Sequence, residues 1–280
     1  MDVDLGHLTK PCACGRKHPV FTEHIDMESG AATRLFEILK DFQNPIFICD
    51  TESRAAAEPF LEEEFKDYLV IELDPEGLKA DEEGIRTVMD QLEICDRGLS
   101  SVPVDILVAI GTDIIHELTR YAAIEYRIPY VSIPTAASTD TFASCAVNCE
   151  DADPQTGQTL CAPRWILADA DIYTNAPNHL TAAGAACVLQ KKAARDVWRQ
   201  EHKHGDTYFC ERAYTLIDDA VDVVEHKYDA ILAGEKDAVT DLMRALLKSG
   251  LVMQMLALAE GGEEGEASCI YLDMIRGMER

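Results

Sequence analysis

The chain is predicted to fold as an α/β protein, a Rossmann-like doubly wound parallel sheet followed by an all-helical domain. Three observations predict this. Short unbroken apolar runs alternate with segments of helical period as far as Ala168, the pattern of strands buried on both faces and joined by helices. From Pro177 onward only helical periodicity remains. Between them, residues 104–144 read strand, helix, strand at the length of a right-handed parallel crossover. Ligands of such sheets bind beyond the carboxyl ends of the strands. Gly111-Thr112 and the loop from Thr135 to Asp140 stand at those ends, so the binding crevice is expected there.

Taken in order, residues 1–20 show no periodicity. Cys12-x-Cys14-x-x-x-His18 has metal-ligand residue types, but the spacing is not a paired Cys-x-x-Cys and no second half-site stands out. The segment reads as a surface β segment leading into the sheet. Residues 31–42 carry Leu35, Ile38, Leu39 and Phe42 on one helical face. Residues 45–49 form a buried strand with Asp50 at its end, placed either to accept from a ribose or to cap the helix expected over 53–65. Residues 68–73 are a strand, and Asp81 caps a helix with Ile85, Val88 and Leu92 inward.

In the central run, Val104 to Ile110 is an apolar strand, and Ile114, Ile115, Leu118, Tyr121, Ala122 and Ile124 mark a helix over Asp113 to Arg127, with Pro129 following and ending it. Tyr130 to Ile133 is the next strand. Residues 150–158 read as a turn, and 164–168 as the last strand. Its tail, Asp169-x-Asp171, suits a divalent cation or, more simply, a helix cap. Three helices follow, over 180–197, 208–232 (stopped by Gly234) and 239–259. The domain boundary is expected at 161, giving an α/β sheet domain over 1–161 and an all-helical domain over 162–280.

Composition narrows the partners. Fifty-one acidic residues against 25 basic ones give a formal charge of -26, unsuited to a nucleic-acid surface, which needs lysine and arginine against phosphate. No apolar run approaches the ~20 residues of a membrane span. Ten cysteines without a secretory leader read as reduced thiols, so a cytoplasmic location is expected.

The stretch P-T-A-A-S-T-D-T-F-A-S, residues 134–144, resembles the nucleotide and substrate loop of the iron-containing alcohol dehydrogenase superfamily, in particular its glycerol dehydrogenase and glycerol-1-phosphate dehydrogenase branch. A-P-R-W-I-L-A-D-A-D-I (162–172) and A-P-N-H-L-T-A-A-G (176–184) resemble that branch's passage into the helical domain, and C-A-C-G-R-K-H (12–18) resembles the start of its bacterial members. The resemblance implies NAD or NADP as cofactor, zinc or iron as metal, a small polyol or polyol phosphate as substrate, and a homo-oligomer. It implies Asp140 as the carboxylate near polyol and nicotinamide, and Gly111, Thr112, Thr135, Ser138, Ser144 and Asp50 around the cofactor.

Three features depart from the family pattern. The turn after the strand reads Gly111-Thr112-Asp113, with Asp113 where a second glycine would let a pyrophosphate approach. Cys187 stands where the family carries a metal-binding aspartate. The segment after residue 259 has no histidine, and Glu266 falls near the expected ligand position. The helical domain is also shorter than the family's. Cys187 and Glu266 are thus the candidate metal ligands, and a catalytically inactive relative acting as a small-ligand binding or assembly protein is the alternative reading. His116, His179, His202, His204 and His226 are expected at helix surfaces or ends.

Overall fold

A computed structural model describes residues 4–61, 63–96, 102–145, 160–205, 208–257, 259 and 274. The turn expected at 150–158 and the C-terminal segment carrying Glu266 lie outside the described residues.

After a short helix α1 (Leu5–Leu8), six strands form one all-parallel sheet: β1 (His24–Glu28), β2 (Pro45–Asp50), β3 (Leu69–Leu73), β4 (Ile106–Gly111), β5 (Tyr130–Pro134) and β6 (Trp165–Asp169), in the order β1-β6-β5-β4-β2-β3. The helices between them are α2 (Leu35–Leu39), α3 (Thr51–Ala57), α4 (Glu82–Ile94) and α5 (Asp113–Tyr126). Then follow α6 (Ala170–Tyr173), α7 (Asn178–His204), α8 (Glu211–Leu232) and α9 (Lys236–Ala257).

Side chains alternate along the strands as the pleat requires. Phe47 and Cys49 face a layer with Leu35, Phe36, Leu39 and Phe65, while Ile46 and Ile48 face Val88, Leu92, Ile115 and Leu118 of α4 and α5. Both faces are therefore covered, as a parallel sheet demands. From β2 the chain steps outward to β3; from β4 it steps the other way to β5 and β6. The reversal puts the topological switch point between β2 and β4, where Asp50 and Gly111 end their strands.

The helical half packs α8 against both α7 and α9, around Trp198, Ile217, Val221, Val224, Leu242 and Leu246. Phe142 and Ala143, from the loop after β5, belong to this same core, so that loop joins the two halves. Two glycines let helices close on it. A Cβ at Gly184 of α7 would lie 2.0 Å from the Ala137 carbonyl oxygen, and one at Gly250 of α9 would lie 2.7 Å from the Asp140 carbonyl oxygen.

Several expectations need correction. Strand β6 pairs with β5 and β1, so the sheet includes residues beyond the boundary expected at 161, and helices take over from Ala170. β1 went unpredicted because an edge strand reading His-Ile-Asp-Met-Glu carries too little apolar signal. The helix expected over 31–42 is a 3₁₀ turn, Ala31–Arg34, leading into α2, and that over 53–65 breaks after α3 where Pro59 enters. α5, by contrast, falls where it is expected, and Arg127, in the left-handed conformation at φ 57°, caps its last turn. Residues 12–18 are not a surface β segment: they lie against the helical half, with His18 buried.

Candidate active-site groove

Two adjoining cavities open at the switch point. One, of about 390 Å³, is lined by Asp50, Ser53, Thr112, Thr135 and Leu180 among others. The other, of about 700 Å³, is lined by Thr112, Asp113, Ser138, Thr139, Asp140 and Cys187 among others. Thr112, Ile114 and Leu180 line both, so the two form one groove across the N-terminus of α5.

Helices α3, α4 and α6 begin with a capping carboxylate, from Asp50, Asp81 and Asp169 respectively. Asp50 accepts from the Ser53 amide at 2.7 Å and the Ser53 hydroxyl at 2.8 Å while also lining the groove. Asp169 accepts from the amides of Gly30 (3.1 Å), Ala32 (3.0 Å) and Asp171 (2.9 Å), which makes it a buried backbone anchor for the edge of the sheet. α5 differs: the Thr112 side chain makes no capping bond. Its first-turn amides are the part of the groove where an anion is favoured.

Asp113 opposes that preference. Its exposed carboxylate lines the groove and accepts from the Thr141 hydroxyl and, at 3.4 Å, from the Thr139 hydroxyl. It thus ties α5 to the loop after β5. Thr135 fixes the start of that loop by donating its amide to the Gly111 carbonyl at 3.0 Å. Ser138 lines the groove, and its buried hydroxyl has no hydrogen-bond partner among the described residues. Ser144 ends the 3₁₀ turn Thr141–Ala143, its amide donating to Thr141, and lines neither cavity.

Asp140 is buried at the wall of the groove. Its Oδ2 accepts from Lys191 Nζ at 2.5 Å and Ser249 Oγ at 2.6 Å, and its Oδ1 from the Cys187 thiol at 3.6 Å. Burial pushes its pKa up, but the Lys191 ammonium and these three hydrogen bonds outweigh burial and hold it below the usual carboxylate value. Asp140 is ionised at neutral pH. Burial, then the Asp140 charge, pushes the Cys187 thiol up to about 12, so it stays protonated and donates.

The residues around Asp140 that sequence reasoning missed had a faint signal. Lys191 lies four residues after Cys187 and seven after Gly184, on one face of α7. Ser249 precedes Gly250, the close-approach glycine of α9, and nothing local marks it. Arg120, fully buried in α5, donates to the Thr141 carbonyl and, at 3.3 Å, to the Tyr130 hydroxyl, so it also pins the loop.

His116 corrects an expectation. It is not at the surface but 1% exposed, on the α5 face turned to the sheet. Nε2 donates to the Gly111 carbonyl at 3.1 Å, and Nδ1 accepts from the Ser132 hydroxyl at 3.3 Å. Burial, then the Arg120 charge, lowers its pKa from 6.5 to about 3, keeping it neutral. Because the folded value is depressed, the unfolded chain takes up a proton first as pH falls. Stability from this group is complete above pH 6.5 and is lost toward pH 3. The expected loss between pH 6.5 and pH 5 is ~2 kcal/mol, at about 1.4 kcal/mol per unit. Urea unfolding across that range should show it, and His116→Gln should remove that part of the slope.

A parallel sheet with this switch-point groove, closed on one side by a helical bundle, defines a doubly wound α/β protein whose ligand crevice lies at the carboxyl ends of its strands. The comparisons narrow the class. Residues 27–177 match the profile of the family described as iron-containing alcohol dehydrogenase, and the chain belongs to that family. It is 27% identical to the glycerol-1-phosphate dehydrogenase (NAD(P)+) of Geobacillus stearothermophilus, over 98% of this chain and 69% of that protein. It is 32% identical to the protein of the same name from Bacillus licheniformis, over 94% of this chain and 66% of that one. The chain therefore spans about two thirds of these relatives. Among solved structures, the fold is similar to a probable glycerol dehydrogenase from Sinorhizobium meliloti (TM-score 0.64, 19% identity, 84% of this chain and 66% of that one). It is also similar to a sulfoacetaldehyde reductase from Bifidobacterium kashiwanohense solved with NAD+ (TM-score 0.62, 15% identity, 85% of this chain and 66% of that one).

The described residues of the groove do not fit the metal that the family name implies. Asp140 and Cys187 are adjacent, but the Lys191 ammonium sits 2.5 Å from the carboxylate, where a cation would meet a like charge. Among the described residues, no group of three His, Cys, Asp or Glu side chains converges in the groove. No helix among them is long and apolar enough to cross a membrane.

Proposed function

We propose that the chain is an NAD(P)-dependent oxidoreductase that interconverts a CH–OH group and a carbonyl in a small polyol or polyol phosphate of the glycerol-1-phosphate type. One observation carries the reading: an ionised Asp140 stands in the groove beside the uncapped N-terminus of α5, in a chain of this family. The α5 amides would receive the pyrophosphate. Asp50 and Thr135 would line the ribose end, and the Ser138 hydroxyl, without a partner among the described residues, would bond a phosphate or ribose oxygen. When bound, the nicotinamide supplies the hydride donor or acceptor. Asp140, kept charged by Lys191, accepts a hydrogen bond from a substrate hydroxyl and orients it, and the protonated Cys187 helps hold that carboxylate in place. Two finer readings go with this one: a cytoplasmic protein, supported by the free state of the described cysteines, and a homo-oligomer.

The test is fluorescence titration with NADH and NADPH, followed by glycerol 1-phosphate and glycerol oxidation with and without added zinc or iron. Saturable cofactor binding and turnover are expected, with the phosphorylated substrate preferred. No binding at millimolar cofactor contradicts the proposal. Cofactor binding with no turnover under any metal contradicts it as well.

A further inference from the structure

A second cluster lies away from the groove. Cys12, Cys14 and His18 come from the N-terminal segment, and Cys210 stands immediately before α8. One ligand-type atom from each lies within 4.8 Å of the others. Cys12 Sγ is 3.6 Å from Cys210 Sγ, and His18 Nε2 is 3.1 Å from Cys14 Sγ and 3.3 Å from Cys210 Sγ. A tetrahedral zinc with Zn–S of ~2.3 Å and Zn–N of ~2.0 Å sets its sulfurs ~3.8 Å apart and nitrogen to sulfur ~3.5 Å. The observed spacings are of that size, and the Cys12 and Cys210 sulfurs, 3.6 Å apart, stand far beyond the ~2.05 Å of a disulfide. Cys210 is the half-site that sequence spacing alone could not supply, because 192 residues separate it from His18.

We propose that Cys12, Cys14, His18 and Cys210 bind one zinc ion in a closed Cys3His site. The imidazole is already oriented for it: Nδ1 donates to the Met255 carbonyl at 2.8 Å, which leaves the Nε2 lone pair facing the three sulfurs. His18 is 1% exposed and Cys210 0%, so the site is enclosed. Three thiolates and one zinc carry a single net negative charge. Cys210 places part of it at the N-terminus of the 22-residue α8, where the helix dipole favours it. The Arg16 guanidinium stacks 3.8 Å from the centre of the Tyr208 ring, whose hydroxyl is 3.6 Å from Cys14 Sγ. Arg212 holds the approach to Cys12 by donating to the carbonyls of Leu8, Lys10 and Pro11.

Four protein ligands leave no open position, so the zinc is structural. It ties the N-terminal segment to the start of α8 and, through His18, to the end of α9. Gln254, next to Met255, donates to the Ala143 carbonyl at 2.7 Å and to Thr22 Oγ at 2.9 Å. The zinc therefore steadies the part of α9 that backs the groove loop, while contributing no group to the groove itself.

The test uses the full chain, expressed in zinc-supplemented cells and purified without chelator or polyhistidine tag. Elemental analysis should find close to one zinc per chain, falling to near zero in Cys14→Ser and Cys210→Ser and unchanged in Cys187→Ala at the groove. X-ray absorption at the zinc edge reads the ligand set on the unsubstituted protein, so the result stands even if a cysteine variant fails to fold. Three sulfurs at ~2.3 Å and one nitrogen at ~2.0 Å are expected. Protein without stoichiometric zinc, zinc that survives both serine substitutions or leaves with Cys187→Ala, or a shell of oxygen and nitrogen alone overturns the proposal.

Discussion

Lys191→Met is expected to lose about 3–5 kcal/mol of stability at pH 7.5, the usual result of leaving a buried charge without its partner. Lys191 and Asp140 are both almost fully buried, and among the described residues the ammonium is the only cation that donates a hydrogen bond to this carboxylate. Without it, Ser249 and Cys187 donate to an ion that burial disfavours. The pH dependence identifies the cause. In the wild type the Asp140 pKa is lowered, so the stability it contributes is present at neutral pH and lost as pH falls through the carboxylate range. In the variant the sign reverses, because burial now raises the pKa and protonation relieves the cost. The gap between variant and wild type should therefore narrow from pH 7.5 to pH 5 in urea melts. The double variant Asp140→Asn with Lys191→Met should recover most of the loss. A Lys191→Met protein as stable as the wild type, or a gap that widens in acid, would show that the pair is not what settles this wall of the groove.

Asp113→Asn should tighten NADH and NADPH binding by about tenfold or more. Two unit charges ~4 Å apart repel by about 1 kcal/mol in water and by about 4 kcal/mol at an intermediate dielectric, and 1.4 kcal/mol is a factor of ten. Asp113 is exposed, which favours the lower figure, but a pyrophosphate carries two charges. Asparagine keeps an acceptor for Thr141 and removes only the charge, so the tether between α5 and the loop survives. Losing a first-turn carboxylate costs α5 about 0.3–1 kcal/mol, a small offset. Titration at several salt concentrations checks the prediction, since the variant's advantage should shrink as salt rises. Unchanged or weaker binding would place the phosphates elsewhere.

The sheet was legible because its strands are buried on both faces and read as unbroken apolar runs; Ile106 to Gly111 and Tyr130 to Pro134 are cases in point. The polar edge strand His24–Glu28 was not legible, since its place depends on pairing with Trp165–Asp169 and not on its own residues. The groove was legible as a place, because strand ends and a turn mark it. Its electrostatics were not. Lys191 reaches Asp140 across 51 positions and Ser249 across 109, distances that no local pattern reports. His116 was misread for a related reason: a histidine in an amphipathic helix looks solvated until the sheet beneath it supplies the Gly111 carbonyl and the Ser132 hydroxyl. The thiol cluster behaved likewise, three of its members being local and the fourth remote.

A crystal structure of the chain grown with NADH or NADPH tests the central claim most directly. The account predicts the pyrophosphate against the first turn of α5 at Thr112, one end of the dinucleotide toward Asp50 and Thr135 and the nicotinamide toward Asp140. A dinucleotide bound outside the groove, or one whose phosphates avoid the start of α5, would contradict it.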